Sequence, residues 1–389
     1  MEHGLYFDPS PFQDRTLPMA DYLTVNTPAL HHWVVQLFET AGSSALEAKL
    51  TADHLVAANL AGHDSHGVGM APRYVNSYLN NELQLNQTVA VVADTGSMLV
   101  VDGKRGMGPS VAYQTMDLAI ERAKQHGVVA VGLRNAHHIG RIGHWAEKAV
   151  AAGMISIHFT NALSRPALVA PFGGAEGRFV TNPFTVGIPR PNGDPIVLDF
   201  ATSALAHGKV RVAHNKKVKV PMGSLIDAKG HPTDNPGVMF PAPGREDSIG
   251  ALVTFAEHKG YALAMVCELL GAALTGGETT QPHNYPKQYG IWNNMFTLVL
   301  DPNKLGTQSR FESEAASFVD WVKSARLSAA GEAMGGIMMP GDPERKMRAA
   351  RANLIPIDAG TMAQMDDAAA AVNARTGGKL AALSTLAVN

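Results

Sequence analysis

Between residues 88 and 301 the sequence alternates short apolar runs of strand length with longer amphipathic segments of helix length, and this alternation constrains the fold more than any other feature. Strands are predicted for Val89 to Val92 and Met98 to Val101, on either side of a turn, and for Val128 to Leu133, Met154 to Phe159, Pro195 to Phe200 and Met295 to Leu300. Helices are predicted for Pro109 to Gln125, Trp145 to Ala152 and Gly260 to Leu274, the last with Leu263, Val266, Leu270 and Leu274 on one face. The pattern therefore predicts an α/β core, bordering on α+β, in which helices are layered on a sheet.

Helical segments flank this core on both sides. Thr27-Pro28 predicts a helix start with Thr27 as the N-cap, and Ser44 with Glu47 forms a capping-box pattern for a second helix. Further helices are predicted around Phe311 to Val322 and from Thr361 to Ala374. We therefore expect an N-terminal extension at 1–26, a helical domain that joins 27–87 with 302–389, and a sheet-containing cofactor-binding domain at 88–301.

Composition excludes several classes of protein. The formal net charge is −2, so nothing in the charge balance indicates nucleic acid or an anionic membrane as a partner. No apolar run reaches the length of a transmembrane helix, and the first 20 residues lack the apolar core of a secretory signal. The single cysteine, Cys267, excludes an intrachain disulfide and fits a reducing compartment, so we expect a cytoplasmic protein with Cys267 in the core.

Two polar segments contain clustered histidines and offer the clearest chemistry. His63-Asp64-Ser65-His66-Gly67 follows the second predicted helix, and the segment from Asn135 to His144 contains His137, His138 and His144. Reactive groups are commonly placed in such connections at the ends of regular elements. Three interpretations stay open from spacing alone.

The first interpretation is acid/base catalysis, because a histidine can give a proton to a ketone oxygen at neutral pH and take it back in reverse. The second is a metal site with His63, His66, His137 and His138 as ligands and Asp64 as a carboxylate, although the spacing is not the helical i, i+4 spacing of common sites. The third is structural, with histidines that simply satisfy turns or a dimer contact.

The usual dinucleotide-binding fingerprint is missing. Gly106-Met107-Gly108 lies between a predicted strand and a predicted helix, but Val111 stands where the third glycine should be. No acidic residue ends a second strand at the expected distance. A plain glycine turn is the better interpretation, and we predict no Rossmann domain.

At the histidine segments the sequence resembles a known family. "GHDSHG" (Gly62 to Gly67) and "HHIGRIG" (His137 to Gly143) are similar to motifs of the malate/lactate dehydrogenase family of the second type, which includes ureidoglycolate, sulfolactate and diketogulonate oxidoreductases. Further matching motifs are "TNPF" from Thr181, "LDFATS" from Leu198, "GKVRVA" from Gly208, "FAEHKGYAL" from Phe255 and "MPGDPE" from Met339. Together they cover about residues 30 to 360 in the family's order, and two of them resemble the hydroxyphenylpyruvate-reductase branch most closely.

The resemblance implies a fold and an activity. The fold is a non-Rossmann NAD(P)-binding core with a mixed sheet, bracketed by N- and C-terminal helical segments, in a homodimer whose active site lies near the subunit interface. The activity is reduction of 2-oxo acids to 2-hydroxy acids, of the hydroxyphenylpyruvate, phenylpyruvate, glyoxylate or pyruvate type, by direct hydride transfer and without a metal. NAD(P)H is the implied cofactor, with NAD slightly favoured. Alternatives are a malate/lactate- or ureidoglycolate-type dehydrogenase, or a metal-dependent hydrolase that uses the histidine cluster.

The resemblance also assigns residues. His66 is implied as the proton donor and acceptor, Ser65 as its neighbour and His138 as a second active-site histidine. The implied cofactor contacts are His66, Gly140, Arg141, Ile142, Val197, Leu198, Asp199, Phe200, Ala201, His258, Asn293, Gly341, Asp342, Pro343 and Glu344. Lys259 is a candidate phosphate contact because of its charge, with an ordinary exposed lysine as the alternative.

One position departs from the family. Many members carry an arginine four residues after the histidine to hold the substrate carboxylate, and here that position is Met70. The hydroxyphenylpyruvate-reductase branch also lacks an arginine there, so the change favours that branch over malate or ureidoglycolate dehydrogenases. Met70 itself would suit an apolar or aromatic substrate side chain. Arg73 and Arg141 are candidates for the carboxylate contact, and Tyr74 is a further candidate for the substrate pocket.

Overall fold

The computed structural model describes residues 22–190, 192–215, 217–241 and 249–388. Most of the expected N-terminal extension, residues 1–21, lies outside the described residues. The last five residues of that extension, Tyr22–Asn26, form strand β1, which pairs with residues 354–358 near the other end of the chain. Pairing between strands that lie more than 300 residues apart in the chain leaves no pattern in the local sequence, so this strand is not predicted from it.

The central sheet is mixed. Among the described residues it has seven strands, in the order β2-β3-β4-β11-β5-β6-β7. They are β2 (Ala90–Asp94), β3 (Met98–Asp102), β4 (Val128–His137), β5 (Ile155–Leu163), β6 (Phe184–Ile188), β7 (Ile196–Phe200) and β11 (Trp292–Leu300). Only β3 and β4 of these strands run parallel, and the other neighbouring pairs are antiparallel. A Rossmann sheet is built from parallel strands, so the predicted non-Rossmann α/β core is confirmed.

Helices cover both faces of this sheet. On one face lie α4 (Gly108–His126) and α5 (Gly143–Ala151), and they bury a core with Met116, Trp145, Leu133 and Val299. The helix α7 (His258–Gly271) packs against β5 and β11. The helix α7 covers the face opposite to α4. The neighbours of Gly132 on β4 point towards α4, so Gly132 points to the other face, and Thr275, just after α7, lies against Gly132.

The apolar face predicted for α7 is not the face that the helix buries, and the helix ends at Gly271 rather than at Leu274. Its buried residues are Gly260, Ala264, Cys267, Glu268 and Gly271. Of the predicted face, Val266 and Leu274 are exposed, and Leu263 and Leu270 are only half-buried. The helix lies so close to β5 that a Cβ on Gly271 would be 2.9 Å from the carbonyl oxygen of Phe159, so small side chains face the sheet. The prediction that Cys267 belongs to the core is confirmed.

A second core joins the two ends of the chain. Its helices are α1 (Thr27–Ala41), α2 (Ala45–Leu60), α3 (Ala71–Leu79) and α11 (Ala359–Thr376). Leu37, Leu55, Tyr74, Ile355 and Met365 are among its buried residues. Strands β12 (Leu354–Asp358) and β13 (Ala387–Val388) flank β1 in a small sheet that closes this core. The division of the chain into 27–87 with 302–389 and 88–301 stays a prediction.

Helix caps follow the sequence with two differences. Asn26, not Thr27, caps α1, since its side chain accepts the backbone N–H of Ala29. Ser44 caps α2 as predicted, by accepting the N–H of Glu47 at 3.3 Å. The Glu47 carboxylate does not complete the capping box, because it accepts hydrogen bonds from Ser43 Oγ and the N–H of Asn86 instead.

The remaining elements form a smaller lobe and the C-terminal connections. The lobe contains α6 (His207–Asn215) and a three-stranded sheet of β8 (Leu225–Ile226), β9 (Pro232–Thr233) and β10 (Ala251–Leu252). The helices α8 (Gln308–Lys323), α9 (Ala329–Ala333) and α10 (Asp342–Ala350) follow β11. Within the described ranges, no helix combines the length and hydropathy that crossing a membrane requires.

Candidate active site

His66 lies at the end of a short turn that connects α2 with α3. The turn, Asp64–His66, is one round of 3-10 helix, and Gly67 follows it. The Oγ of Ser65 lies 3.0 Å from Nδ1 of His66, so the hydroxyl holds one side of the imidazole ring. The His66 ring is half-buried, and its Nε2 has no hydrogen-bond partner among the described residues. That nitrogen is therefore available to a ligand.

The turn is held in place from both ends of the chain. Asn59, on the preceding helix, accepts the N–H of Val68 at 2.7 Å and donates to the Asp64 carboxylate at 2.6 Å. Arg351 donates to the same carboxylate at 2.7 Å and to the carbonyl of Asn59. A Cβ at position 67 would overlap the Asn59 amide, so only glycine fits there. These contacts fix the backbone of the turn and thereby the position of His66.

His138 stands beside His66. The two rings stack with centroids 5.6 Å apart and an interplanar angle of 26°. Nδ1 of His138 is 2.8 Å from the hydroxyl of Tyr74, a buried residue of α3. The ring of Tyr74 also meets His137 edge-on at 5.3 Å. The structure thus brings His66, Ser65, His138 and Tyr74 together, although His137 belongs to strand β4 rather than to a loop.

The Gly106-Met107-Gly108 turn positions these histidines. A Cβ on Gly108 would overlap the carbonyl oxygen of His138, and the carbonyl of Gly106 accepts the N–H of His137. The glycines therefore allow the start of α4 to pack against the backbone of the histidine segment. This is the plain glycine turn that the sequence predicted.

The imidazoles of the cluster are held neutral. Burial lowers the pKa of His66 to about 4, and the charge of His63 lowers it further, while Asp199 opposes the shift. Burial lowers the pKa of His138 well below its usual value, with smaller effects from His66 and His137. Burial lowers the pKa of His137 to about 3, and the charge of Arg73 adds to this. At neutral pH these rings are therefore uncharged.

Arg141 lies in the loop after His138 and is already paired. It is 3% exposed, and its Nη2 is 2.8 Å from Glu147 while its Nε is 3.5 Å from Asp199. Burial lowers the pKa of Arg141, but Glu147 and Asp199 raise it overall. Because its charge is balanced, Arg141 is a poor candidate for the substrate carboxylate. Its Nη1 is buried without a partner and remains a donor for a bound group.

The loop around Arg141 is braced by Asp199, which the sequence analysis selected, and by His54 and Glu147, which it did not. Nε2 of His54, which is buried on α2, accepts the backbone N–H of Arg141 at 2.9 Å. Asp199 accepts the N–H of Gly143 at 2.8 Å and so ties β7 to the start of α5. Glu147 binds Arg348 as well as Arg141. His54 is part of an apolar helix pattern and Glu147 of an ordinary helix, so neither carried a signal.

The other predicted cofactor residues divide into two groups. Glu344 is 3.0 Å from His63, and the N–H of Val197 donates to the carbonyl of Pro340, which brings the Gly341 to Glu344 segment beside β7 and the His66 turn. Leu198, Phe200 and Ala201 extend along and just past β7, and Ile142 is buried in the loop after Arg141. Asp342 accepts the N–H of Met339 and Pro343 opens α10.

Three of the predicted residues lie apart from the cluster or point elsewhere. His258 and Lys259 are exposed at the start of α7, and no hydrogen bond or ion pair among the described residues joins them to His66 or His138. Asn293 is buried and uses its side chain internally, because it accepts the N–H of Ile139 and donates to the carbonyl of Asn161. Through the hydrogen bond to Ile139, Asn293 fixes the backbone of the histidine segment from strand β11.

Arg73 and Met70 lie on the α3 side of the cluster. Nε of Arg73 donates to the carbonyl of Tyr289 at 2.8 Å, and the charge of Arg73 lowers the pKa of His137 and His138. Met70 is half-buried and packs against the helical core. Arg73 is therefore close to the histidine cluster, whereas Met70 is placed near His66 only by its position four residues further along the chain.

The cluster does not resemble a metal centre. In the part of the chain that the structure describes, no group of three or more His, Cys, Asp or Glu side chains is arranged to hold a metal ion. The interpretation as a metal-dependent hydrolase therefore gains no support.

Comparisons with known proteins identify the family of this chain. The family model described as malate/L-lactate dehydrogenase matches residues 25–366. A hydroxycarboxylate dehydrogenase B from Escherichia coli is 47% identical over 87% of this chain and 92% of its own length. An L-lactate dehydrogenase from Cupriavidus necator is 37% identical over 83% of this chain and 90% of its own. The solved structure of a sulfolactate dehydrogenase from Methanocaldococcus jannaschii is 29% identical and superposes with a TM-score of 0.79, covering 92% of this chain and 98% of that one.

These relatives are all dehydrogenases of small hydroxy acids, and they match the chain over most of its length. The resemblance inferred from the histidine motifs is thereby confirmed. The protein belongs to the malate/L-lactate dehydrogenase family and is a 2-hydroxy acid dehydrogenase that uses a nicotinamide cofactor.

Proposed function

We propose that this dehydrogenase interconverts 2-oxo and 2-hydroxy acids with His66 as the group that gives and takes the proton at the substrate oxygen. The observation that carries the proposal is the setting of His66. Its Nδ1 is held by Ser65 at 3.0 Å, its face stacks on His138, and its Nε2 is open. A fixed imidazole with one free nitrogen is what proton transfer to a carbonyl oxygen requires.

The residues around His66 fit a dinucleotide. Arg141 keeps a buried Nη1 donor without a partner, a group that suits a phosphate oxygen. The 138–143 loop, the end of β7 and the 341–344 segment meet at this arginine and at His63. Here we place the cofactor, through Gly140, Arg141, Ile142, Asp199 and Glu344. When bound, the nicotinamide ring supplies or accepts the hydride at the substrate C2 carbon.

His66 acts first as a base. Because its pKa is lowered to about 4, the ring is neutral at pH 7 and takes the proton from the hydroxyl oxygen of a 2-hydroxy acid. Ser65 holds Nδ1 and orients Nε2 towards that oxygen. In the reverse direction the protonated ring returns the proton to the carbonyl oxygen. His138, fixed by Tyr74, packs against the face of His66 and keeps water from that side.

For the substrate we propose 2-oxo acids with an apolar or aromatic side chain, such as hydroxyphenylpyruvate and phenylpyruvate, with glyoxylate and pyruvate as smaller substrates. Met70 supports this choice, since a half-buried thioether against the helical core suits an apolar group. The hydroxycarboxylate dehydrogenase of Escherichia coli is among the most similar relatives. NAD as the preferred cofactor and a cytoplasmic location remain predictions.

We further propose that the protein is a homodimer. Val266 and Leu269 on the outer face of α7, and Leu274 in the 3-10 turn just after it, are 38%, 51% and 57% exposed. An apolar helix face of this kind is typical of a surface that another subunit covers. Light scattering coupled to size-exclusion chromatography should give twice the mass of 41.2 kDa. A monomer at micromolar concentration would contradict this proposal.

The decisive experiment is replacement of His66. His66→Ala should lower turnover by roughly 10²- to 10⁴-fold, because a positioned acid/base contributes this much. Turnover is followed by NAD(P)H absorbance with phenylpyruvate, hydroxyphenylpyruvate and glyoxylate. His32→Ala, at an exposed position of α1, is the matched control and should keep full activity. A loss below about threefold in His66→Ala would remove His66 from this role.

A further inference from the structure

Helix α6 packs against the turn that contains His66. A Cβ on Gly208 would be 2.9 Å from Cβ of Ser65, so the absence of a side chain at position 208 allows this approach. On its other side α6 is anchored by Val210, which is buried in the core of the smaller lobe. The first turn of α6 therefore forms one wall of the candidate active site.

Two polar residues of α6 lie beside Gly208 on this wall. His207 and Arg211 are four residues apart, so they share a face of the helix, beside Gly208. His207 is half-buried, with its ring 5.5 Å from that of Phe240. Burial lowers the pKa of His207 to about 4, and the charges of Arg211 and Arg73 lower it further. His207 is thus close to guanidinium groups from two different elements.

The two arginines also act on one another. Arg73 comes from α3, and its pKa is lowered first by burial and then by the charge of Arg211. Glu82 opposes this shift, but its carboxylate already accepts the backbone N–H groups of Gln288, Tyr289 and Gly290. Two positive charges that converge on one site favour the binding of an anion between them.

Neither arginine is paired with a carboxylate. Among the described residues, no Asp or Glu oxygen lies within 4.0 Å of the guanidinium of Arg73 or Arg211. Arg73 spends Nε and Nη2 on the carbonyls of Tyr289 and Gly290, which fixes its orientation and leaves Nη1 open. The other arginine near the cluster, Arg141, is balanced by Glu147 and Asp199.

We infer that Arg211, together with Arg73, binds the C1 carboxylate of the substrate and so takes the place of the arginine that Met70 replaces. The inference rests on the proposed function. When a 2-oxo acid places its carbonyl oxygen at His66, its carboxylate and its side chain extend in different directions from the C2 carbon. The α6 wall supplies the carboxylate contact, and the Met70 side receives the apolar side chain. A guanidinium is suited to this role because it donates two parallel hydrogen bonds to a carboxylate.

The test is Arg211→Met, assayed with phenylpyruvate, pyruvate and glyoxylate. The KM should rise roughly 10- to 150-fold, the range of a lost hydrogen bond to a charged group. The rise should be similar for all three acids, because the carboxylate is the group they share. The kcat should change less than about threefold, and the dissociation constant of NAD(P)H, measured by fluorescence, should stay unchanged. Arg211→Lys should recover part of the affinity, since it keeps the charge without the fork.

The matched control is Lys209→Met, which removes the same charge from the same helix. Lys209 is exposed, as Arg211 is, but it lies about 200° around the helix from both His207 and Arg211. It should leave KM unchanged. The inference is overturned if Arg211→Met keeps KM within threefold of that of an active parent, or if the variant lowers kcat without raising KM. It is also overturned if only the KM for a dicarboxylate such as oxaloacetate rises. A parent protein inactive on every 2-oxo acid would instead reject the proposed function itself.

Discussion

Lowering the pH from about 7 to about 5.5 should cost this protein at least about 5 kcal/mol of folding free energy, the share of its four most buried histidines, because these rings stay neutral in the folded state. These four, His54, His137, His138 and His158, are at most 8% exposed. Burial lowers the pKa of His137 and His158 to about 3 and that of His54 and His138 well below the usual value. The unfolded chain titrates with pKa values of about 6.5.

The sign follows from these values. Between the two pKa values the unfolded state binds a proton that the folded state does not, so stability is complete above about pH 6.5 and is lost as the pH falls. From about pH 7 to about 5.5 each histidine contributes a loss of about 1.2 kcal/mol, and four contribute about 5 kcal/mol. Natural domains are stable by about 5 to 15 kcal/mol, so the loss is large enough to measure.

The assay is urea unfolding at the two pH values, with the free energy extrapolated to water. His158 offers a variant outside the candidate site, since its ring bonds Thr297 and Ser156 within the central sheet. His158→Gln should reduce the pH dependence by about one quarter while activity is retained. A total loss below about 1.5 kcal/mol would refute the reasoning, because these rings would then take up protons in the folded state. NMR resonances assigned to His54, His137, His138 or His158 that titrate above pH 5 would refute it independently.

Three further outcomes are expected. Met70→Arg should raise kcat/KM for malate or oxaloacetate, and unchanged turnover of both would contradict the placement of Met70 in the pocket. Gly140→Ala should abolish most activity and lower the melting temperature, because φ is +72° there and a Cβ would overlap Nε2 of His54; a fully stable, active variant would argue against that packing. The kcat/KM for reduction should rise about tenfold for each pH unit lowered from 8 to 6, since it requires protonated His66 with a pKa of about 4, and a flat profile would assign the proton to another group.

Elements defined by local pattern could be predicted from the sequence. The strands of the central sheet around Val129, Ile157 and Leu298 and the helix from Gly108 to His126 lie where apolar period and turn residues placed them. The histidine segments were also found as ends of elements. Their chemistry is compatible with three interpretations, because the spacing of histidines along the chain does not determine which rings lie next to one another in the fold.

The α7 face shows why burial is harder to predict. The large apolar residues Val266 and Leu274 carry the stronger hydrophobic signal, yet the helix turns Gly271 and Ala264 to the sheet. Close approach of two backbones rewards small side chains, and the gain comes from contacts with β5 that no local window contains. The buried carboxylate of Glu268 belongs to the same contact, where it accepts hydrogen bonds from Asn161 and Asn182.

The site itself is assembled by pairings that join distant parts of the chain. Strand β11 pairs with both β4 and β5, and through this pairing Asn293 reaches the backbone of Ile139. Arg351 and Glu344, near the C-terminus, fix the turn of His66 through Asp64 and His63. Arg211 lies in the GKVRVA motif, but the motif assigned it no role, because an arginine in a short polar helix is ordinary until that helix packs on Ser65. What identifies it is an unbalanced charge beside a neutral base, and charge balance is a property of the folded surroundings rather than of the sequence window.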